Sequence, residues 1–226
     1  MANSLTDVYV GVKKDDPNRR TNDFYPTPPL ATFVLTKYCK PPRDIVEPCA
    51  GRGNISVELA RNGHNVLSYD LNEYSDSLCS INTSYDAMEL PKPTGFDGVV
   101  TNPPYHKDLP RKMAEKWIGE YDYVAMFLRL TFLEGKKRKK LFTNHPPSDI
   151  IFLSDRVQFK KDSIEPIEKK HQIGGMIAYA WFVWDKRHTW SGLCKPQWVN
   201  LEDEYDEWRL NYDKCSDTSG RRSNTP

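Results

Sequence analysis

The chain has few cysteines, and none are arranged to bind metal. Cys39, Cys49, Cys79, Cys194 and Cys215 are scattered along 226 residues with no C-x-x-C pair. Neither a zinc site nor a disulfide framework has a foundation, no metal is expected, and a reducing cytoplasm is the expected compartment. No apolar run approaches the roughly 20 residues that cross a bilayer. The opening MANSLTDVYV also lacks the basic-then-apolar pattern of a secretory signal. A membrane partner is therefore not expected. Net charge is only +1 with 28% charged residues, so any footprint for a polyanion must be local. The chain shows no internal repeat, no Gly-Lys-Ser/Thr of a P-loop and no complete G-x-G-x-x-G.

What is present is an alternation of short apolar runs with amphipathic stretches. Residues 1–22 are polar and read as a flexible lead-in, and 201–226 turn acidic and then polar, which reads as a disordered tail. Between them, 23–200 form one expected domain. Expected strands are DIVEPC (44–49), NVLSYD (65–70), INTSYD (81–86), FDGVVTN (96–102), YVAMFLRLTFL (123–133), DIIFLS (149–154) and AYAWFVWD (178–185). Helical stretches cover 30–39, 55–63, 111–120 and 135–142, with Asn54 as an N-cap and Gly63 as a stop. The expected fold is α/β: a Rossmann-like, mostly parallel seven-stranded sheet with helices on both faces.

Two stretches carry chemistry. EPCAGRG (47–53) takes an acid-ending strand into a glycine loop before a helix, which is a nucleotide-type corner. Gly51 and Gly53 would let backbone approach a ligand that a side chain would exclude. Asp70, at the end of the next strand, is placed to accept from both ribose hydroxyls, and Asp86 to meet an adenine amine. The second stretch is TNPPY (101–105), closing the fourth expected strand. Pro103 and Pro104 donate nothing to a ladder and stiffen the turn. They hold Asn102 Oδ1 and the Pro103 carbonyl as two fixed acceptors. Both would accept from a planar NH2, favouring a pyramidal nitrogen and restoring its lone pair. Tyr105 offers a ring face to a flat target such as an extruded base. On this reading the Asn102 amide contacts only the target amine, so its loss would spare cofactor affinity.

With EPCAGRG, the YD pairs at 69–70 and 85–86, TNPPY, and DFYPTPP upstream, the chain resembles class I S-adenosylmethionine-dependent methyltransferases of the amino-methylating branch. It is most similar to small phage-type DNA adenine-N6 enzymes, over roughly residues 23–187. The resemblance implies S-adenosyl-L-methionine as cofactor and nucleic acid, DNA first, as partner. The cytoplasm would be that of a host if the protein is phage-encoded. It assigns Asn102, Pro103, Pro104 and Tyr105 to catalysis. It assigns Glu47, Pro48, Cys49, Ala50, Gly51 and Gly53 to the methionine-side loop and Asp70 to the ribose. Asp86 and Ala87 go to the adenine, Tyr25, Pro26 and Thr27 to the segment closing over the cofactor, and Asn102 touches both sites. Relatives with the motif also methylate RNA guanine or a protein glutamine, so RNA and protein acceptors stay open. Glu47 stands where Asp is commoner. No segment is long enough for a separate target-recognition domain, which leaves open a cofactor-binding subunit that needs a protein partner.

Other features have plainer readings. Cys49 lies in the glycine loop, so a covalent role is not expected. Trp181, Trp184 and Trp190 are expected to pack rather than stack on bases, and His106 to be structural. For KKRKK (136–140), a solvated face and a phosphate-contacting face are both open. The phosphate reading would recruit Lys107, Lys136, Lys137, Arg138 and Lys139.

Overall fold

Short runs rich in apolar residues build the sheet. The computed structural model describes residues 25–106, 108–157, 177–187 and 194–219. Its strands are β1 (Asp44–Glu47), β2 (Asn65–Ser68), β3 (Gly98–Thr101), β4 (Tyr123–Arg129), β5 (Asp149–Leu153), β6 (Tyr179–Asp185) and β7 (Lys195–Val199). The helices are α1 (Pro29–Cys39), α2 (Asn54–Arg61), α3 (Leu109–Glu120), α4 (Lys136–Asn144) and α5 (Leu201–Ser219). One sheet holds all seven strands in the order β2-β1-β3-β4-β6-β5-β7. Only β6 runs antiparallel to its neighbours.

The strand order places the site. From β1 the chain crosses through α2 to β2 on one side, and β3 then pairs on the other side of β1. Such a switch point leaves a crevice at the carboxyl ends of the two diverging strands. The glycine loop follows β1 and the Asn-Pro-Pro-Tyr turn follows β3, so both open into that crevice.

Alternation along the strands fills two cores. Ile45, Val100, Phe127 and Trp181 face α1, α2 and α5. Val46, Val99, Met126, Phe182 and Trp184 face Met113 and Trp117 of α3 and Leu141 of α4. Trp181 and Trp184 are core residues as expected: their indole N–H groups donate to the carbonyls of Ala31 and His145, both at 2.8 Å. Trp190 lies outside the described residues.

Three expectations are corrected. INTSYD is not a strand: Asn82 makes one parallel bridge with Tyr69, and Ser84 then turns into the left-handed region at φ 67°. An extended ladder cannot continue through that turn. Its place in the count of seven goes to β7, whose Pro196 hid the strand in sequence but is tolerated because β7 forms the sheet's edge. The expected disordered tail is helical over Leu201–Ser219. Its composition is polar because one face is wet, yet Leu201 and Trp208 are buried. The Trp208 indole donates to Glu58 Oε1 at 3.0 Å, and Lys37 bridges Glu204 at 2.7 Å, which fastens α5 across α1 and α2. Residues 1–22 and 220–226 lie outside the described residues.

The helix is therefore part of the fold, with a measurable consequence. Trp208→Ala is expected to cost about 3–5 kcal/mol, as removal of a buried aromatic does. Urea unfolding checks this, and an unchanged midpoint would return the segment to a tail.

Candidate active site

The crevice contains a cavity of about 360 Å³. Tyr25 and Thr27, the loop residues Glu47, Pro48, Cys49, Ala50 and Gly51, and Asp70, Asp86 and Ala87 all line it. Asn102 and Pro104 line it from the β3 side. The loop residues thus face the Asn-Pro-Pro-Tyr turn across one space. Gly53, Pro103 and Tyr105 are not among the lining residues.

The glycine loop is held by the strand-end acid. Asp70 is buried, and its Oδ2 accepts from the Gly51 N–H at 2.7 Å while Oδ1 accepts from the Asn72 N–H at 2.8 Å. Gly51 sits at φ 56° at the loop's tip, where a side chain would be strained. Gly53 departs from its expected role. It caps α2 at φ 90°, and a Cβ there would meet Cys79 Sγ at 2.5 Å, so glycine is needed for loop packing rather than for ligand approach. Asp86 Oδ1 accepts from the Met88 N–H at 2.8 Å, fixing the turn that brings Ala87 and Met88 to the cavity.

Glu47 is almost wholly buried and accepts from the Ser56 hydroxyl, which also pairs with Ser68 Oγ at 2.6 Å. Burial pushes its carboxyl well above the ordinary range, against the pull of Ser56, and the Asp70 charge adds to the rise. The Cys49 thiol is likewise pushed up, first by burial and then by Asp70. A thiol held protonated is a poor nucleophile, which agrees with a non-covalent role.

The Glu47 shift has a sign. With a folded pKa above its unfolded value of about 4.3, the carboxyl binds more protons in the folded chain. Its contribution to stability is full below the unfolded value and is lost as pH rises through the folded one. Glu47→Gln, uncharged throughout and still able to accept from Ser56, is expected to be more stabilising in mildly alkaline buffer than in mildly acidic buffer. Urea unfolding across a pH series reads the difference; equal effects at every pH would contradict the buried charge.

Asn102 is oriented by its neighbours. Its Nδ2 donates to the Tyr25 carbonyl at 3.0 Å and to Thr27 Oγ1 at 2.9 Å. A backbone carbonyl can only accept, so the amide nitrogen must face Tyr25 and Oδ1 must face the other way. There the Tyr105 hydroxyl donates to Oδ1, and it also reaches the Phe127 carbonyl at 3.1 Å. The expectation that the amide touches only a target amine is therefore corrected: it also latches the 25–27 segment over the cavity. Among the described residues, no donor meets the Pro103 carbonyl.

Tyr105 is corrected in the same way. Its ring does not face the cavity but lies beneath the Arg129 guanidinium, 4.7 Å from the centroid, with Tyr25 and Tyr179 at 6.2 and 6.0 Å. The hydroxyl that holds Asn102 also holds the ring in place. Of the residues named for phosphate contact, Lys136, Lys137 and Lys139 are exposed on α4, beside the turn: Lys137 Nζ lies 3.7 Å from Asp108. Arg138 instead folds back, donating to the carbonyls of Glu134 and of Thr131 (3.0 Å) over the Phe132 ring. Lys107 lies outside the described residues, and His106 is exposed.

Sequence reasoning missed several cavity residues. Leu71 and Tyr85 are large side chains left 61% and 47% exposed at the mouth, with Tyr85 edge-on to Tyr69 at 5.1 Å. Leu71 follows one of the two YD pairs and Tyr85 belongs to the other, which was the available signal. Asn54 was read only as a helix cap. Gly53 is the cap instead, and Asn54 turns into the cavity lining with Oδ1 buried and without a partner.

No protein-family model matches the chain, and no curated protein matches it in sequence. Its structure is similar to that of a candidate class I S-adenosylmethionine-dependent methyltransferase of Listeria monocytogenes. The two are 13% identical with a TM-score of 0.52, over 90% of this chain and 75% of that one. The fold is that of the class I methyltransferases. A candidate RNA methyltransferase of Pyrococcus horikoshii is similar at 14% identity and TM-score 0.50, over 73% of this chain and 88% of that one. TehB of Haemophilus influenzae is 14% identical at TM-score 0.43, and the chain spans 61% of TehB's length with 69% of its own. Among the described residues no helix is long and apolar enough to cross a membrane, and no acidic, histidine or cysteine cluster could hold a metal ion.

Proposed function

We propose that the protein transfers a methyl group from S-adenosylmethionine to an exocyclic amine, with adenine N6 in DNA as the acceptor. The observation that carries this reading is the shared cavity: the glycine loop and Asn102 line the same space. The lining fits the cofactor. Asp70 and Asp86 line it with carboxylates, which suit a sulfonium and an ammonium, and the buried Asn54 Oδ1 is an acceptor waiting for a donor. Gly51 and Asp70 would hold the ribose and methionine side, while Asp86, Ala87 and Leu71 would hold the adenine. When bound, the cofactor supplies an electrophilic methyl group on sulfur.

The chain's own residues do the remaining work. Asn102 Oδ1 keeps a lone pair beyond the one taken by Tyr105, and the Pro103 carbonyl has both of its own. Together they would accept from the target NH2 and localise its lone pair toward the methyl carbon. The amine held by these two acceptors would take the methyl group from sulfur, which would leave as the neutral thioether, and would then lose a proton to water. Rigid acceptors need no reorganisation during the step, which is the source of their leverage. A base inside a duplex must leave the stack to reach this crevice. Tyr25, which lines the cavity, takes over the stacking role first assigned to Tyr105. Lys136, Lys137 and Lys139 would track phosphates beside the opening.

Competition among acceptors tests the reading. Unmethylated DNA, total RNA and cell protein are supplied together with radiolabelled cofactor, and the polymers are then separated. Label concentrated in DNA is the expected result. Label in RNA or protein would move the substrate, and cofactor binding without transfer would point to a required partner.

A further inference from the structure

We infer that Arg129, at the end of β4, is a phosphate-binding residue that holds the backbone flanking the extruded nucleotide. The inference rests on the reading of the site as one for a nucleic-acid amine, and it adds a contact that reading did not contain.

Arg129 is partly buried, and its Nε is fully enclosed with no hydrogen-bond partner. Among the described residues it forms no ion pair. Its guanidinium lies over the Tyr105 ring at 4.7 Å. The arrangement is unusual for an arginine. Arg111, Arg187 and Arg209 each meet a carboxylate within 3.2 Å, and Arg138 meets two carbonyls. A buried N–H left without an acceptor carries the full cost of its desolvation, so native structures leave few of them. An anion arriving with the substrate would meet the two Nη groups, which unlike Nε are not fully enclosed.

The chemistry of that partner follows from the group. A guanidinium is always charged, and stacking on a ring leaves its edge free to form two parallel hydrogen bonds to a phosphate. Position then selects which phosphate. Arg129 covers the same Tyr105 whose hydroxyl holds Asn102, so two side chains, Tyr105 and Asn102, separate it from the proposed reacting amine. A nucleotide rotated out of a duplex swings about its own backbone, which brings its flanking phosphates to the rim of the pocket. The exposed lysines of α4 begin seven residues further along the chain, after a 3-10 helix at Leu130–Leu133. A protein glutamine carries no such anion.

The test compares the full chain with Arg129→Met and Arg129→Lys on an adenine-containing DNA duplex, recording affinity against salt concentration. Arg129→Met is expected to weaken DNA binding by about tenfold or more. It should also reduce the slope of log affinity against log salt by about one, the signature of one lost phosphate contact. Arg129→Lys keeps the charge and the slope but loses the fork, so its affinity falls between the other two. Cofactor affinity changes much less than DNA affinity in both. If Arg129→Met loses thermal stability but keeps native DNA affinity and slope, the guanidinium only packs on Tyr105 and the assignment is overturned alone. Native protein that binds no polynucleotide at any salt would overturn it together with the nucleic-acid reading.

Discussion

Asn102→Ala is expected to lower kcat for methyl transfer by about 10²–10³-fold, the loss seen when one preorganised group at a reacting centre is removed. A second effect follows from the latch. The variant loses two hydrogen bonds to Tyr25 and Thr27, so the segment over the cavity loosens and cofactor affinity falls by roughly tenfold. Asn102→Asp separates the two roles. It keeps an oxygen beside Tyr105 but turns a second oxygen toward the Tyr25 carbonyl, which cannot donate, so it should disturb cofactor binding at least as much. Rapid-quench transfer and calorimetric titration of the cofactor check both parts. Full turnover in Asn102→Ala would remove the amide from the chemistry, and unchanged cofactor affinity would remove the latch.

Asp70→Ala is expected to be as damaging by another route. Asp70 is the acceptor for Gly51 and Asn72 N–H groups at 2.7 and 2.8 Å, on the two sides of the cavity floor. Removing it strands both donors at a cost of about 2 kcal/mol or more, and it removes the proposed partner of the ribose hydroxyls. Cofactor affinity should fall by about 10²-fold, with a lower urea midpoint. Asp70→Asn retains one accepting oxygen and should fall between native and alanine. A stable Asp70→Ala protein with native cofactor affinity would show that the loop holds itself.

The fold was legible where the sequence pattern and the physics shared a period. β3, β4 and β6 are apolar nearly throughout because a sheet with helices on both faces buries both sides of its inner strands. Edges were harder to read. The INTSYD run has strand-forming residues, but Ser84 at φ 67° ends it after one bridge, and such a turn leaves no mark on composition. β7 carries a proline that only an edge position permits, and edge positions are known from topology alone. α5 reads as tail because its fifteen residues from Tyr205 are mostly polar, and its anchor at Trp208 meets its partner Glu58 150 positions away.

The site divides along the same line. The loop 47–51, Asp70 and Asn102 were legible because each ends a strand, and strand ends converge at a switch point. Contacts between side chains were not. Nothing local to Asn102 announces Tyr25 and Thr27, 77 and 75 residues earlier, as its partners. Tyr105 shows the same limit. The motif suggests a ring offered to a base, whereas Arg129 and the hydroxyl's two acceptors set its place in the fold.

The most direct measurement is the identity of the methylated atom. Unmethylated DNA is incubated with the protein and S-adenosylmethionine, digested to nucleosides and resolved by mass spectrometry. Two carbonyl acceptors fixed at the end of β3 predict a methyl group on an exocyclic nitrogen, found as N6-methyladenine and lost in Asn102→Ala. A methyl group on carbon, as 5-methylcytosine, or N6-methyladenine formed equally well by Asn102→Ala, would contradict the account.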